Sequence, residues 1–173
     1  MSKDSEKRTQ LLAAMGGEFR QLATATILFH QAIADRLGMH VTDHKCGDIL
    51  MGTGPITAGE LAERTGLTTG SITGVIDRLE KAGFVRRAKD PGDRRRVIIE
   101  PFPERIEREV VPLFESIGRA MAELCVRYNT RELAVIRDFL TRFHQVVFEE
   151  TRKLREGGEH AKPAKGSRPT TSA

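Results

Sequence analysis

Residues 84–99 read Phe-Val-Arg-Arg-Ala-Lys-Asp-Pro-Gly-Asp-Arg-Arg-Arg-Val-Ile-Ile. The two ends, Phe84-Val85 and Val97-Ile98-Ile99, are short aromatic or β-branched runs of the kind that fit a pleated, half-buried strand. Between them Asp90-Pro91-Gly92-Asp93 is a turn with a physical cause, because Pro presets φ and Gly accepts positive φ. The stretch therefore predicts a β-hairpin with a long tip. Its bases are Arg86, Arg87, Lys89, Arg94, Arg95 and Arg96, and its acids are Asp90 and Asp93, which leaves +4, equal to the formal net charge of the whole 173-residue chain. Three consecutive arginines at such a tip suit contact with phosphates or insertion into a narrow minor groove.

Moving upstream, three segments carry one start signal. Val41-Thr42 precedes Cys46, Ile56-Thr57 precedes Leu61, and Leu67-Thr68 precedes Ile72. In each, a threonine is expected at the N-cap with apolar residues before it and four positions into the helix, the hydrophobic-staple arrangement. Glu60, three residues after Thr57, adds a capping box. The signals predict helices at about 43–52, 58–65 and 69–82, with Gly66 and Gly83 closing the last two. The pair joined at Gly66-Leu67-Thr68 has helix-turn-helix spacing. The second helix buries Ile72, Val75, Ile76 and Leu79 and leaves Thr69, Gly70, Ser71, Thr73 and Gly74 outward, with Asp77 and Arg78 further along. A helix in a major groove needs small residues and hydroxyls at that end.

Farther out, apolar stripes mark long helices. Leu12, Met15, Phe19, Leu22, Thr26, Phe29 and Ile33 step by three and four, and Gly38 ends the run. Downstream of Pro101 and Pro103, Ile106, Val110, Leu113, Ile117, Ala120 and Leu124 form a second stripe, in which Pro112 predicts a kink. Asn129-Thr130 caps a third, Leu133, Ile136, Leu140, Phe143 and Val147. The expected organisation is a flexible arm at 1–10, an N-terminal dimerisation helix at 11–38, a DNA-binding domain at 39–100, C-terminal dimerisation helices at 101–155 and a disordered tail at 156–173. Three apolar helices exceed what one small head can cover, so a homodimer is expected.

The stretch from Ile56 to Ile99 resembles the winged-helix domain of the MarR (multiple antibiotic resistance regulator) family. The resemblance is carried by Leu61-Ala62-Glu63-Arg64 with Gly66-Leu67, by Ile72-Thr73 and Val75-Ile76-Asp77-Arg78-Leu79-Glu80, and by Gly83-Phe84-Val85-Arg86-Arg87. Asp90-Pro91-Gly92-Asp93-Arg94-Arg95 matches the family's wing. The resemblance implies a mainly α, winged helix-turn-helix fold with long N- and C-terminal dimerisation helices. It places Thr68, Thr69, Ser71, Thr73 and Arg78 at or near double-stranded DNA, and Lys89, Arg94, Arg95 and Arg96 on the wing. Asp93 is expected to orient those arginines. It further implies a pseudo-palindromic operator, and a small aromatic or phenolic effector between head and dimer helices, where His30, His40 and His44 are candidate ligand contacts.

Other function classes are weaker. His40, Asp43, His44 and Cys46 are metal-ligand types, but His40 and His44 straddle a helix start, so no metal site is expected. Cys46 near His44 is an alternative redox-sensing thiol; the staple pattern instead makes it a small buried apolar residue. Two cysteines build no disulfide framework. No catalytic triad, phosphate loop or paired-carboxylate motif is present, so neither catalysis nor a cofactor is expected. A winged-helix protein-interaction module is the competing class, although such modules lack an arginine-rich wing. The polar N-terminus lacks the apolar core of a signal peptide, and no apolar run approaches a membrane span, which leads to a cytoplasmic expectation.

Overall fold

The computed structural model describes residues 3–159. Along the chain these form α1 (Lys3–Arg36), α2 (Val41–Thr53), β1 (Ile56–Thr57), α3 (Ala58–Thr65), α4 (Thr69–Lys81), β2 (Val85–Lys89), β3 (Val97–Pro101), α5 (Pro103–Glu109), α6 (Val111–Cys125) and α7 (Thr130–Glu159). They fall into two units, one through Ser116 and one from Ile117 onward.

The first unit has one apolar core. Cys46 and Leu50 of α2, Leu61 of α3, and Ile72, Val75, Ile76 and Leu79 of α4 meet Phe84, Val85, Ile99 and Ile106. Each large side chain withdrawn from water contributes roughly 1.5–3 kcal/mol. The predicted hairpin forms with Val85 opposite Pro101 and Lys89 opposite Val97. A two-residue strand unforeseen in the sequence, β1, pairs antiparallel with β3, Ile56 opposite Ile99, giving the order β1-β3-β2.

Local signals set most helix ends. Thr57 caps α3 in a complete capping box with Glu60, and Gly66 closes it at φ 68°. Thr68 caps α4 by accepting from the Ser71 amide. Gly83, at φ 74°, leads into β2 in a backbone conformation that calls for glycine.

Four expectations change. The α2 cap is His40, whose Nδ1 accepts from the Thr42 amide at 3.2 Å, so Thr42 lies inside the helix. Residues 3–10, expected as a flexible arm, continue α1: their Lys, Glu, Arg and Gln are good helix formers, and Asp4 and Glu6 suit a helix N-terminus. The kink expected at Pro112 is a full break at Val110 between α5 and α6. Pro112 sits in the first turn of α6, where its missing N–H is not needed. Residues 156–159, expected in a disordered tail, belong to α7, which runs to Glu159; 160–173 lie outside the described residues.

Much of the apolar stripe of the long helices is uncovered in the single chain. Leu12 is 56% exposed, Leu22 58%, Leu140 50% and Val147 49%. Among the described residues no helix is long and apolar enough to cross a membrane.

Candidate nucleic-acid interface

Helix α4 presents two different faces. Ile72, Val75, Ile76 and Leu79 are buried, while Thr68, Thr69, Gly70, Ser71 and Thr73 are exposed. Oγ1 of Thr68 lies 2.9 Å from Oγ of Ser71, and the Thr73 hydroxyl donates to the Thr69 carbonyl at 3.0 Å. A Cβ added at Gly70 would meet nothing within 4 Å. The N-terminal turn is thus slim, hydroxyl-bearing and at the positive end of the helix dipole, which suits phosphate and base-edge contact.

The six hairpin bases divide into two groups. Arg86 pairs with Glu100 across the strands at 2.8 Å. Arg87 reaches back to α4, where Nη2 lies 2.5 Å from Asp77 and Nη1 meets Glu80, while its amide donates to Glu80 at 2.9 Å. Arg96 reaches Glu60 of α3 at 3.2 Å. Arg87 and Arg96 pin the hairpin to the helices, and Arg86 ties its two strands together. Among the described residues, Lys89, Arg94 and Arg95 have no ion-pair partner, and all three are exposed. The tip holds its own shape: Asp90 Oδ1 accepts from the Gly92 amide at 2.8 Å, and Asp93 Oδ1 from the Arg95 amide at 3.0 Å. Asp93 thereby bonds to the backbone of a wing arginine.

Arg78, expected at or near DNA, is held by Asp43 of α2. Its Nε and Nη2 reach Oδ2 and Oδ1 of Asp43 at 2.7 and 2.6 Å. Asp43 is buried and Arg78 half exposed. This fork clasps α4 to α2 and raises the guanidinium pKa, chiefly through the hydrogen bond to Asp43. Sequence reading grouped Asp43 with metal-ligand types and missed the pair, since 35 positions separate the partners.

The histidines separate as well. Nδ1 of His30 on α1 lies 3.1 Å from Nε2 of His44 on α2, and Phe114 packs beside both rings. Burial, then the His30 ring, pushes the pKa of His44 down. A crevice of about 60 Å³ is lined by Asp43, His44, Asp48, Met39, Met51, Phe84 and Phe114 among others. His44 lines it, His30 stands behind His44, and His40 caps α2 and does not line it. Cys46 is fully buried, and its thiol is pushed up to about 11 by burial and by Asp43. Both run against the redox alternative, which needs an accessible thiolate at neutral pH. Among the described residues no group of three His, Cys, Asp or Glu could hold a metal ion.

The family model described as MarR family matches residues 48–97. An uncharacterised HTH-type transcriptional regulator of Bacillus subtilis, YcgE, is 46% identical over 138 residues, covering 80% of this chain and 89% of the relative. Among solved structures, a MarR family protein from Bacillus stearothermophilus superposes with a TM-score of 0.63 at 23% identity, over 80% of this chain and 96% of that one. Apo MarR from Escherichia coli superposes with a TM-score of 0.53 at 19% identity, over 74% and 94%; at these identities the likeness is one of fold. The slim, hydroxyl-bearing helix, the braced cationic wing and the extent of the match to YcgE lead to one conclusion: the chain belongs to the MarR family and is a DNA-binding, winged helix-turn-helix transcriptional regulator.

Proposed function

We propose that this regulator is a cytoplasmic repressor that binds a pseudo-palindromic operator as a homodimer and is released by a small aromatic or phenolic effector. The observation that carries the DNA reading is the division of the hairpin bases: three brace the wing, and Lys89, Arg94 and Arg95 are left for an anionic partner. In this reading Thr68, Thr69, Ser71 and Thr73 meet the major groove, Arg94 and Arg95 the minor groove, and Lys89 the flanking phosphates, while Arg96 braces the wing through Glu60. Asp93 holds the Arg95 backbone, and Arg78 acts through Asp43 to set the pose of α4. Dimerisation through the uncovered stripes would set two α4 helices about one DNA turn, roughly 34 Å, apart. An effector in the crevice bears on α2 and α4 together and so shifts that spacing.

The test is binding to a candidate operator and to random duplex across a salt series. A specific site binds roughly 10³-fold tighter or better, with a steep salt slope. Equal affinity for all sequences rejects the operator. Unchanged affinity after Arg94→Ala with Arg95→Ala favours a protein-interaction module instead.

A further inference from the structure

The crevice has a chemical bias. Its ionisable lining is Asp43, His44 and Asp48, and no Lys or Arg lines it. The cations nearby lie outside the lining and are already paired, two of them with the crevice's own carboxylates. Arg78 is bound to Asp43, Lys45 to Asp48 at 2.6 Å, and Arg105 to Glu109 at 3.1 Å. An anionic guest therefore finds no free counter-charge in the lining. Burial keeps His44 on the neutral side, so it does not supply one. A cationic guest meets the opposite situation. Each carboxylate has about four lone-pair sites; Arg78 takes one from each oxygen of Asp43 and Lys45 bonds a single oxygen of Asp48, so both retain acceptor capacity. The rest of the lining is apolar and includes the rings of Phe84 and Phe114 and the thioethers of Met39 and Met51. Aromatic faces attract cations; Phe84 is already taken by the Arg105 guanidinium, 4.6 Å from its centroid, which leaves the Phe114 ring for a guest.

The geometry points to a lipophilic cation, an aromatic body bearing an amine or amidinium, as the effector class this crevice takes, with Asp43 as the group that recognises its charge. The inference rests on the proposed effector reading and narrows it from phenols and aromatic acids to aromatic bases. It also supplies a route to DNA release. A guest bonded to Asp43 draws on the carboxylate that holds Arg78, so the clasp between α2 and α4 loosens as the crevice fills.

Benzamidine, phenol and benzoate share one ring and differ in charge. Their binding to the full chain at pH 7.5, followed by ligand-observed NMR, tests the bias directly. Benzamidine is expected to bind roughly tenfold tighter than benzoate, with phenol between. Asp43→Asn should remove the preference and Asp48→Asn reduce it, which keeps the test informative if one variant folds poorly. Benzamidine should also weaken operator binding by the wild-type chain. Tighter binding of benzoate or phenol overturns the inference while leaving an effector crevice in place. No binding by any of the three overturns both the inference and the crevice. Loss of specific operator binding in the absence of any guest is the separate failure of the repressor reading.

Discussion

Lys89, Arg94 and Arg95 differ from Arg86, Arg87 and Arg96 in what holds them, although all six share one hairpin. Sequence reading counted six charges; it did not separate braces from free cations, because Asp77, Glu80, Glu60 and Glu100 lie on other elements. The separation has a consequence. Lys89→Ala should weaken binding about equally across DNA sequences and lower the salt slope by about one, leaving thermal stability unchanged. Arg87→Ala should instead lower the melting temperature. Fluorescence anisotropy over a salt series, with thermal melts beside it, checks both; an unchanged slope after Lys89→Ala would remove that residue from the interface. Cys46 gives a second prediction at this scale. Its thiol pKa is raised from 9.0 to about 11, so the fold favours the protonated form. The stability this contributes is complete below pH 9 and is lost as pH climbs toward 11. Urea midpoints should fall more steeply over that range in the wild type than in Cys46→Ala, and a native-state thiol reagent should leave Cys46 unlabelled at pH 7.

Between elements, the ends of α3 and α4 were legible because a cap is a contact between residues three apart: Thr57 with Glu60, Thr68 with Ser71. The joints were not legible, because each unites distant residues. β1 lies some 40 positions from β3, and His40 displaces Thr42 as a cap through a ring nitrogen that no Ser/Thr pattern anticipates. The Asp43–Arg78 joint predicts an asymmetry. Arg78→Ala strands a buried carboxylate and should cost roughly 2–3 kcal/mol. Asp43→Asn leaves a guanidinium that is already half in water and should cost about 1 kcal/mol. Chemical denaturation measures both, and the reverse order would show that the buried carboxylate is not the costly partner. The α1–α2 joint predicts a pH response. Because the fold lowers the pKa of His44, that contribution is intact above the ordinary imidazole value of 6.5 and declines as pH drops through the folded value. His44→Gln should flatten the loss of urea midpoint between pH 7 and pH 5; an equally steep loss would place its origin elsewhere.

At the level of the whole molecule, the apolar stripes foretold the long helices well, since periodicity is a property of each helix alone. They did not foretell that residues 3–10 are helical or the break at Val110, where neither Gly nor a capping side chain marks the boundary. The stripes left open to water on α1 and α7 predict a solution mass of twice 19.3 kDa by light scattering at micromolar concentration. A monomer there would contradict dimerisation through these helices.

Association through helices that are distinct from the reading head also fixes how damaged copies behave. A chain with Arg94 and Arg95 removed keeps its pairing stripes intact, so it would be drafted into mixed pairs with sound chains. Each mixed pair grips its operator on one side only. Under the proposed repressor reading, co-expressing such a copy would derepress the target genes out of proportion to its abundance, a poisoning that a copy crippled in its long helices could not cause.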